Sequence, residues 1–315
     1  MERPIDEKFD RVIIMPYTSR THATTSTRTA QDEEPDMPNG QRTIPLSLHQ
    51  LTVTDVDSEQ FVDIAAELGC DHVCLFLDMP DAQSPYPCVK SVDQARGLKQ
   101  RLADNGMSVF NTDTFLVTPK TDFRRYEGML EIAATLGAQV VDIVSVHPDP
   151  EAAAAIIDDF VKMAKGYGLR SVIEAIRFTR IKNLDDALHI IALCDNPDLA
   201  LNVDIMHLMR SGRRPADLAA KAAPSLRYYA QISDGPIDMP DERQEWEANG
   251  DRMVPGTGEF PLVEFVRMLP PDGVVAVEAP LTRLKDSVPS LERARMVVKG
   301  ARSVLAKAAM EDAAC

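Results

Sequence analysis

Four short apolar runs in the second half of the chain each close on an oxygen-bearing side chain. RSVIEA (170–175) carries Glu174 near its end and LALNVD (199–204) ends on Asp204. RYYAQIS (227–233) carries Gln231 and GVVAVEA (273–279) carries Glu278 at matching heights. Carboxylates gathered within a few ångströms raise one another's pKa, and a divalent cation removes the conflict. Carboxylate and amide oxygens suit Mn, Mg or Co in octahedral geometry, with Zn as the further candidate. The competing assignment pairs the same acids with barrel arginines such as Arg177.

For the four side chains to meet, their strands must end at one mouth. From residue 43 onward, short β-branched runs alternate with amphipathic stretches. The runs start at 44, 72, 107, 139, 170, 199, 227 and 273. Many are continuously apolar, as strands covered on both faces should be. Eight such units at roughly 30-residue spacing predict an α/β fold, a (β/α)8 TIM barrel. No GxGxxG follows the first run, so a dinucleotide-binding sheet loses its main support. Parity agrees with a barrel. Asp204 shares a strand face with Asn202 and Ala200, and Glu278 shares one with Ala276 and Val274.

Two departures from the beat are visible. Residues 1–42 are polar and Thr-rich, cannot bury themselves, and read as an irregular, partly disordered N-terminal extension. The catalytic barrel is expected over 43–315. The last interval is the longest, and its excess (DGPIDMPDERQEWEANGDRMVPGTGEFPL) makes a long loop after strand 7. Such loops sit on a barrel's catalytic face. Trp246 in that loop is expected in a lid or a subunit contact.

Composition narrows the partners. The formal charge of −15 disfavours nucleic acid and anionic membrane surfaces. No apolar run reaches the ~20 residues of a bilayer span. Five cysteines without a CxxC pair, and an N-terminal segment without a signal-peptide core, point to reduced thiols in a cytoplasmic protein.

The ordered segments VIEAIRFTRIKNLDDAL, LNVDIMHLMRSG, YAQISDG, RMVPGTGEFPL and VAVEAP resemble the xylose isomerase-like sugar phosphate isomerase/epimerase superfamily. The resemblance covers the barrel from about residue 43 to 305 and is strongest between 170 and 280. It implies one divalent metal ion held by Glu174, Asp204, Gln231 and Glu278, with Gln231 where the epimerases often have His. It also implies that Glu174 and Glu278 act as the acid/base pair. His207, three residues past Asp204, is implied as a substrate contact, against a plain loop histidine. Arg252 is the candidate for the arginine that the epimerases carry nearer strand 7, and its fork could grip a substrate carboxylate. His49, Asp113, His147 and Arg177 complete the candidate substrate-binding residues at the mouth.

The reaction this implies is isomerisation or epimerisation of a sugar-like polyhydroxy carbonyl compound. Proton transfer would run through a metal-stabilised enediolate. The alternative is a dehydratase or lyase of the 3-dehydroshikimate or inosose dehydratase type. A hydrolase and a non-catalytic barrel are the remaining classes. A small-molecule substrate and a homodimer or homotetramer are expected by analogy with the superfamily.

Overall fold

Eight parallel strands pair in chain order and close, β8 returning to β1. The protein's structure, a computed structural model, describes residues 44–80, 84–221, 228–270 and 273–313. The expected N-terminal extension lies outside the described residues. The strands are β1 (Leu46–His49), β2 (His72–Phe76), β3 (Ser108–Val117), β4 (Val140–Ser145), β5 (Arg170–Glu174), β6 (Leu199–Asp204), β7 (Tyr228–Ile232) and β8 (Val275–Val277). The helices are α1 (Ser58–Glu67), α2 (Val92–Asp104), α3 (Glu127–Leu136), α4 (Pro150–Gly166), α5 (Leu184–Cys194), α6 (Ile205–Arg210), α7 (Pro215–Lys221), α8 (Asp241–Gly250), α9 (Leu262–Arg267) and α10 (Ser290–Ala313). This is a (β/α)8 barrel.

Local sequence sets the helix ends. Asp57, Ser91, Asp149 and Asn183 each accept a backbone N–H in the first turn of α1, α2, α4 and α5, which satisfies donors a helix otherwise leaves open. Gly137 closes α3 at φ +78°, a left-handed conformation that favours glycine.

Alternation along the strands separates two apolar layers. Ile173, Leu201, Val203, Val275 and Val277 face the helices in the large outer core. Val140, Val172, Ala200, Tyr229, Val274 and Ala276 form a smaller cluster on the other strand face, inside the barrel. The acids follow that inner face. The register climbs around the ring, as barrel shear requires. Glu174 lies opposite Asn202, Asp204 opposite Gln231, and Gln231 opposite Ala276, two residues below Glu278.

Strand β3 runs four residues beyond the expected end at Asp113. The long segment after β7 is not a plain loop, because it contains α8 and α9. It closes on itself where Asp234 and Met253 exchange backbone hydrogen bonds.

Candidate active site

The strand-end acids converge. Glu174, Asp204, Gln231 and Glu278 are all buried, none more than 7% exposed. Asp204 works at both oxygens. Its Oδ1 accepts the Met206 N–H at 2.7 Å, capping α6. Its Oδ2 accepts from Arg252 Nη1 at 2.7 Å. Glu278 Oε1 accepts from Arg252 Nη2 at 3.3 Å. Glu174 accepts no hydrogen bond from the described residues. Burial, and then the charges of Asp142, Glu278, Asp204 and Asp113, push its pKa well up. Glu278 is also raised by burial, against the opposing pull of Arg252 and His49.

Arg252 is the basic residue of the cluster, and it comes from the excursion after β7. Its Nε donates to Ala248 O at 3.0 Å and its Nη1 to Glu278 O at 3.0 Å, besides the two carboxylates. A guanidinium has five N–H donors, so one on Nη2 is left. While these bonds stand, the bidentate grip on a substrate carboxylate expected from the sequence is closed to Arg252. It holds the protein's own acids instead.

The other expected residues divide. His207, on α6, is 4% exposed and belongs to the cluster, with ligand atoms of Glu174, Asp204 and His207 all within 4.8 Å of one another. Burial lowers its pKa to about 4, so it is neutral near pH 7, and its buried Nδ1 has no partner. His49 and Asp113 meet across β1 and β3, His49 Nε2 lying 2.8 Å from Asp113 Oδ2. The Leu51 N–H donates to His49 Nδ1, which places the neutral ring's proton on Nε2. Burial opposes a second proton on His49, but Glu278 and Asp113 outweigh it and raise its pKa. Cys74 shares that corner and, like the other described cysteines, is free.

His147 and Arg177 do not join. His147 Nδ1 bonds within its own turn, to Asp149. Arg177 Nε donates to Arg210 O at 3.2 Å, and no ion pair joins it to the strand-end acids, as the competing assignment required, among the described residues. Trp246 lies on α8, 47% exposed, with the Arg243 guanidinium over its ring.

Sequence reasoning missed the fasteners of the excursion. Arg210 and Glu247 form a buried bidentate pair, both bonds 2.6 Å, tying α6 to α8. Asp234 receives the N–H groups of Gly256 (2.8 Å) and Phe260 (3.0 Å) and so organises the turn after Arg252. Gly258 packs so closely on Asp234 that a Cβ there would collide with its carboxylate. Asp234 stands in the motif YAQISDG, but only the fold shows what it holds.

A bound cation fits this donor set. With all three buried carboxylates ionised, one guanidinium leaves two negative charges unmatched, and Glu174 has no cationic partner among the described residues. Buried charge is costly unless paired, and one divalent ion would complete the balance.

A family model described as xylose isomerase-like TIM barrel matches residues 62–303. The chain belongs to this family. Solved xylose isomerase-like barrels align over most of the chain. An IolI protein with a bound zinc atom is 16% identical at TM-score 0.69, with 84% of this chain and 99% of that one covered. A probable 3-DHS dehydratase, AsbF, from Bacillus anthracis is 15% identical at TM-score 0.65, with 82% and 99% covered. A D-psicose 3-epimerase is 14% identical at TM-score 0.62, with 84% and 100% covered. The chain spans 42% of a longer fusion of a xylose isomerase-like barrel with a 4-hydroxyphenylpyruvate dioxygenase, at 19% identity and TM-score 0.67, with 82% of this chain covered. At these identities the likeness shows the fold. No curated protein matches the sequence.

Proposed function

We propose that this chain is a divalent-metal-dependent isomerase or epimerase that moves a proton on the carbon beside a carbonyl of a polyhydroxylated substrate. The supporting observation is the placement of Glu174 and Glu278. They rise from β5 and β8, three strands apart around the ring, and face one buried cluster. Such a pair can remove a proton from one side of a carbon and return one from the other. A divalent cation held by Glu174, Asp204, Gln231 and Glu278 would supply Lewis acidity toward the carbonyl oxygen. Arg252 fixes Asp204 and Glu278 in place, so they need no rearrangement as charge develops. Burial excludes water from both glutamates and makes each a stronger proton acceptor.

The test is hydrogen exchange in heavy water. Protein loaded with manganese(II) is incubated with ketoses, cyclitols and sugar acids. Deuterium should enter at the carbon beside the carbonyl, and Glu174→Gln and Glu278→Gln should each lower the rate by about 10²–10⁴-fold. Absence of both exchange and product across these classes, in metal-loaded protein, refutes the proposal.

A second reading, β-elimination of water, is favoured by His207. It adds a neutral, buried base beside the glutamate pair. If His207 takes the proton, a protonated Glu174 can donate to the departing hydroxyl. A product lighter by one water, abolished by His207→Gln, decides for it.

A further inference from the structure

Beneath the carboxylates lies a buried hydrogen-bonded row that the proposed chemistry leaves unused. Asn111 Nδ2 donates to the Tyr229 hydroxyl at 2.9 Å, and that hydroxyl donates to Asp142 Oδ2 at 3.1 Å. Asn202 Nδ2 donates to the same Asp142 oxygen at 2.6 Å and to Gln231 Oε1 at 2.9 Å. The row therefore ends on one of the four candidate ligands.

In this arrangement Gln231 turns its oxygen toward Asn202, and its Nε2 makes no hydrogen bond to the described residues. A cation is served only through the oxygen, because an amide NH2 has no lone pair to offer, and an oxygen turned to the cluster rather than to Asn202 serves it best. Which end of an amide carries oxygen follows from its partners. Turning Gln231 over sets its NH2 against Asn202, so Asn202 must accept. Asn202 then turns as well and shows its oxygen to Asp142. Two acceptors cannot face each other, so Asp142 must donate.

The surroundings of Asp142 fit a donor. It is wholly buried, its Oδ1 has no partner, and no basic side chain among the described residues pairs with it. Asn202 and Tyr229 face it from β6 and β7, and the Asp113 charge lies on the β3 side. Burial and that charge push its pKa well above the usual carboxylate range.

We propose that Asp142 is a positioning residue: as a neutral acid it donates to Asn202, which turns the Gln231 oxygen toward the cation. This rests on the metal-dependent reading above.

The test is manganese(II) titration by calorimetry and electron paramagnetic resonance. Asp142→Leu should weaken binding about tenfold or more, as loss of a ligand's supporting partner does, while Asp142→Asn stays within about threefold. In a Gln231→Glu background both ends of residue 231 are oxygen, so Asp142→Leu should cost less than about threefold. Infrared spectra of the manganese-loaded protein should show a protonated-acid carbonyl band that Asp142→Asn removes. Wild-type protein that binds no manganese overturns the metal reading itself. Wild-type binding with equal loss, or no loss, in both backgrounds overturns the relay alone. Should Asp142→Leu fail to fold, absence of the infrared band from the loaded wild type overturns the relay.

Discussion

Arg252 is where the candidate site is most sensitive, because one guanidinium pairs with two buried carboxylates. Arg252→Met keeps volume and removes the charge. In metal-free protein it should cost about 3–5 kcal/mol, the range for breaking a buried pair from one side. Saturating manganese should restore most of that loss. Urea unfolding with chelator and with manganese checks this, and equal losses in both would show that cation and arginine do not share these acids. His207 sets a pH dependence of its own. Its folded pKa of about 4 lies below the unfolded value of 6.5, so between these the unfolded chain binds more protons. The contribution of His207 to stability therefore rises with pH from about 4 to about 6.5 and is flat above, by roughly 3 kcal/mol in all. The difference in unfolding free energy between wild type and His207→Gln, measured without metal across that range, should follow this course. A difference that does not change with pH would mean the ring stays accessible to protons.

The excursion after β7 is the element on which the site depends most. It brings Arg252 back to acids that β6 and β8 already carry, and it is fastened by Arg210–Glu247 and by Asp234. Glu247→Gln should loosen this element before the barrel. Amide hydrogen exchange should quicken across residues 236–252 while β1–β4 keep their protection. Uniform loss of protection would make the pair a global rather than a local fastener. This part of the site was the least legible in the sequence. Strand ends could be read because alternation and βα spacing are local properties, and so Glu174, Asp204, Gln231 and Glu278 were found together. The partner of Arg252 depends on how α8 folds back, which no local pattern carries. Asp142 is an acid inside the apolar run QVVDIVSV (139–146), and local pattern does not single it out. Its meaning required the neighbours that only a closed barrel provides. His147 and Arg177 stand close to strand ends in sequence, but local pattern does not carry their partners, which are Asp149 and the Arg210 carbonyl.

At the scale of the whole molecule, the barrel carries several ionisable groups inside a chain of formal charge −15. None of its described helices is long and apolar enough to cross a membrane. Such an interior is stable only if its charges are matched, so a fitting divalent ion should stabilise the entire fold. At a free concentration about 100 times its Kd, the gain is about 2.7 kcal/mol. Thermal unfolding scanned against Mn, Mg, Co and Zn would detect it, and no shift with any of them would make the carboxylates purely structural. Asp204 adds a practical handle. One of its oxygens holds the first turn of α6 through the Met206 N–H while the other faces the cluster. Any ion that draws on this carboxylate withdraws electron density from that hydrogen bond. The Met206 amide resonance thus becomes a built-in gauge of occupancy, by which ions and small ligands can be ranked in an NMR titration before any turnover is observed.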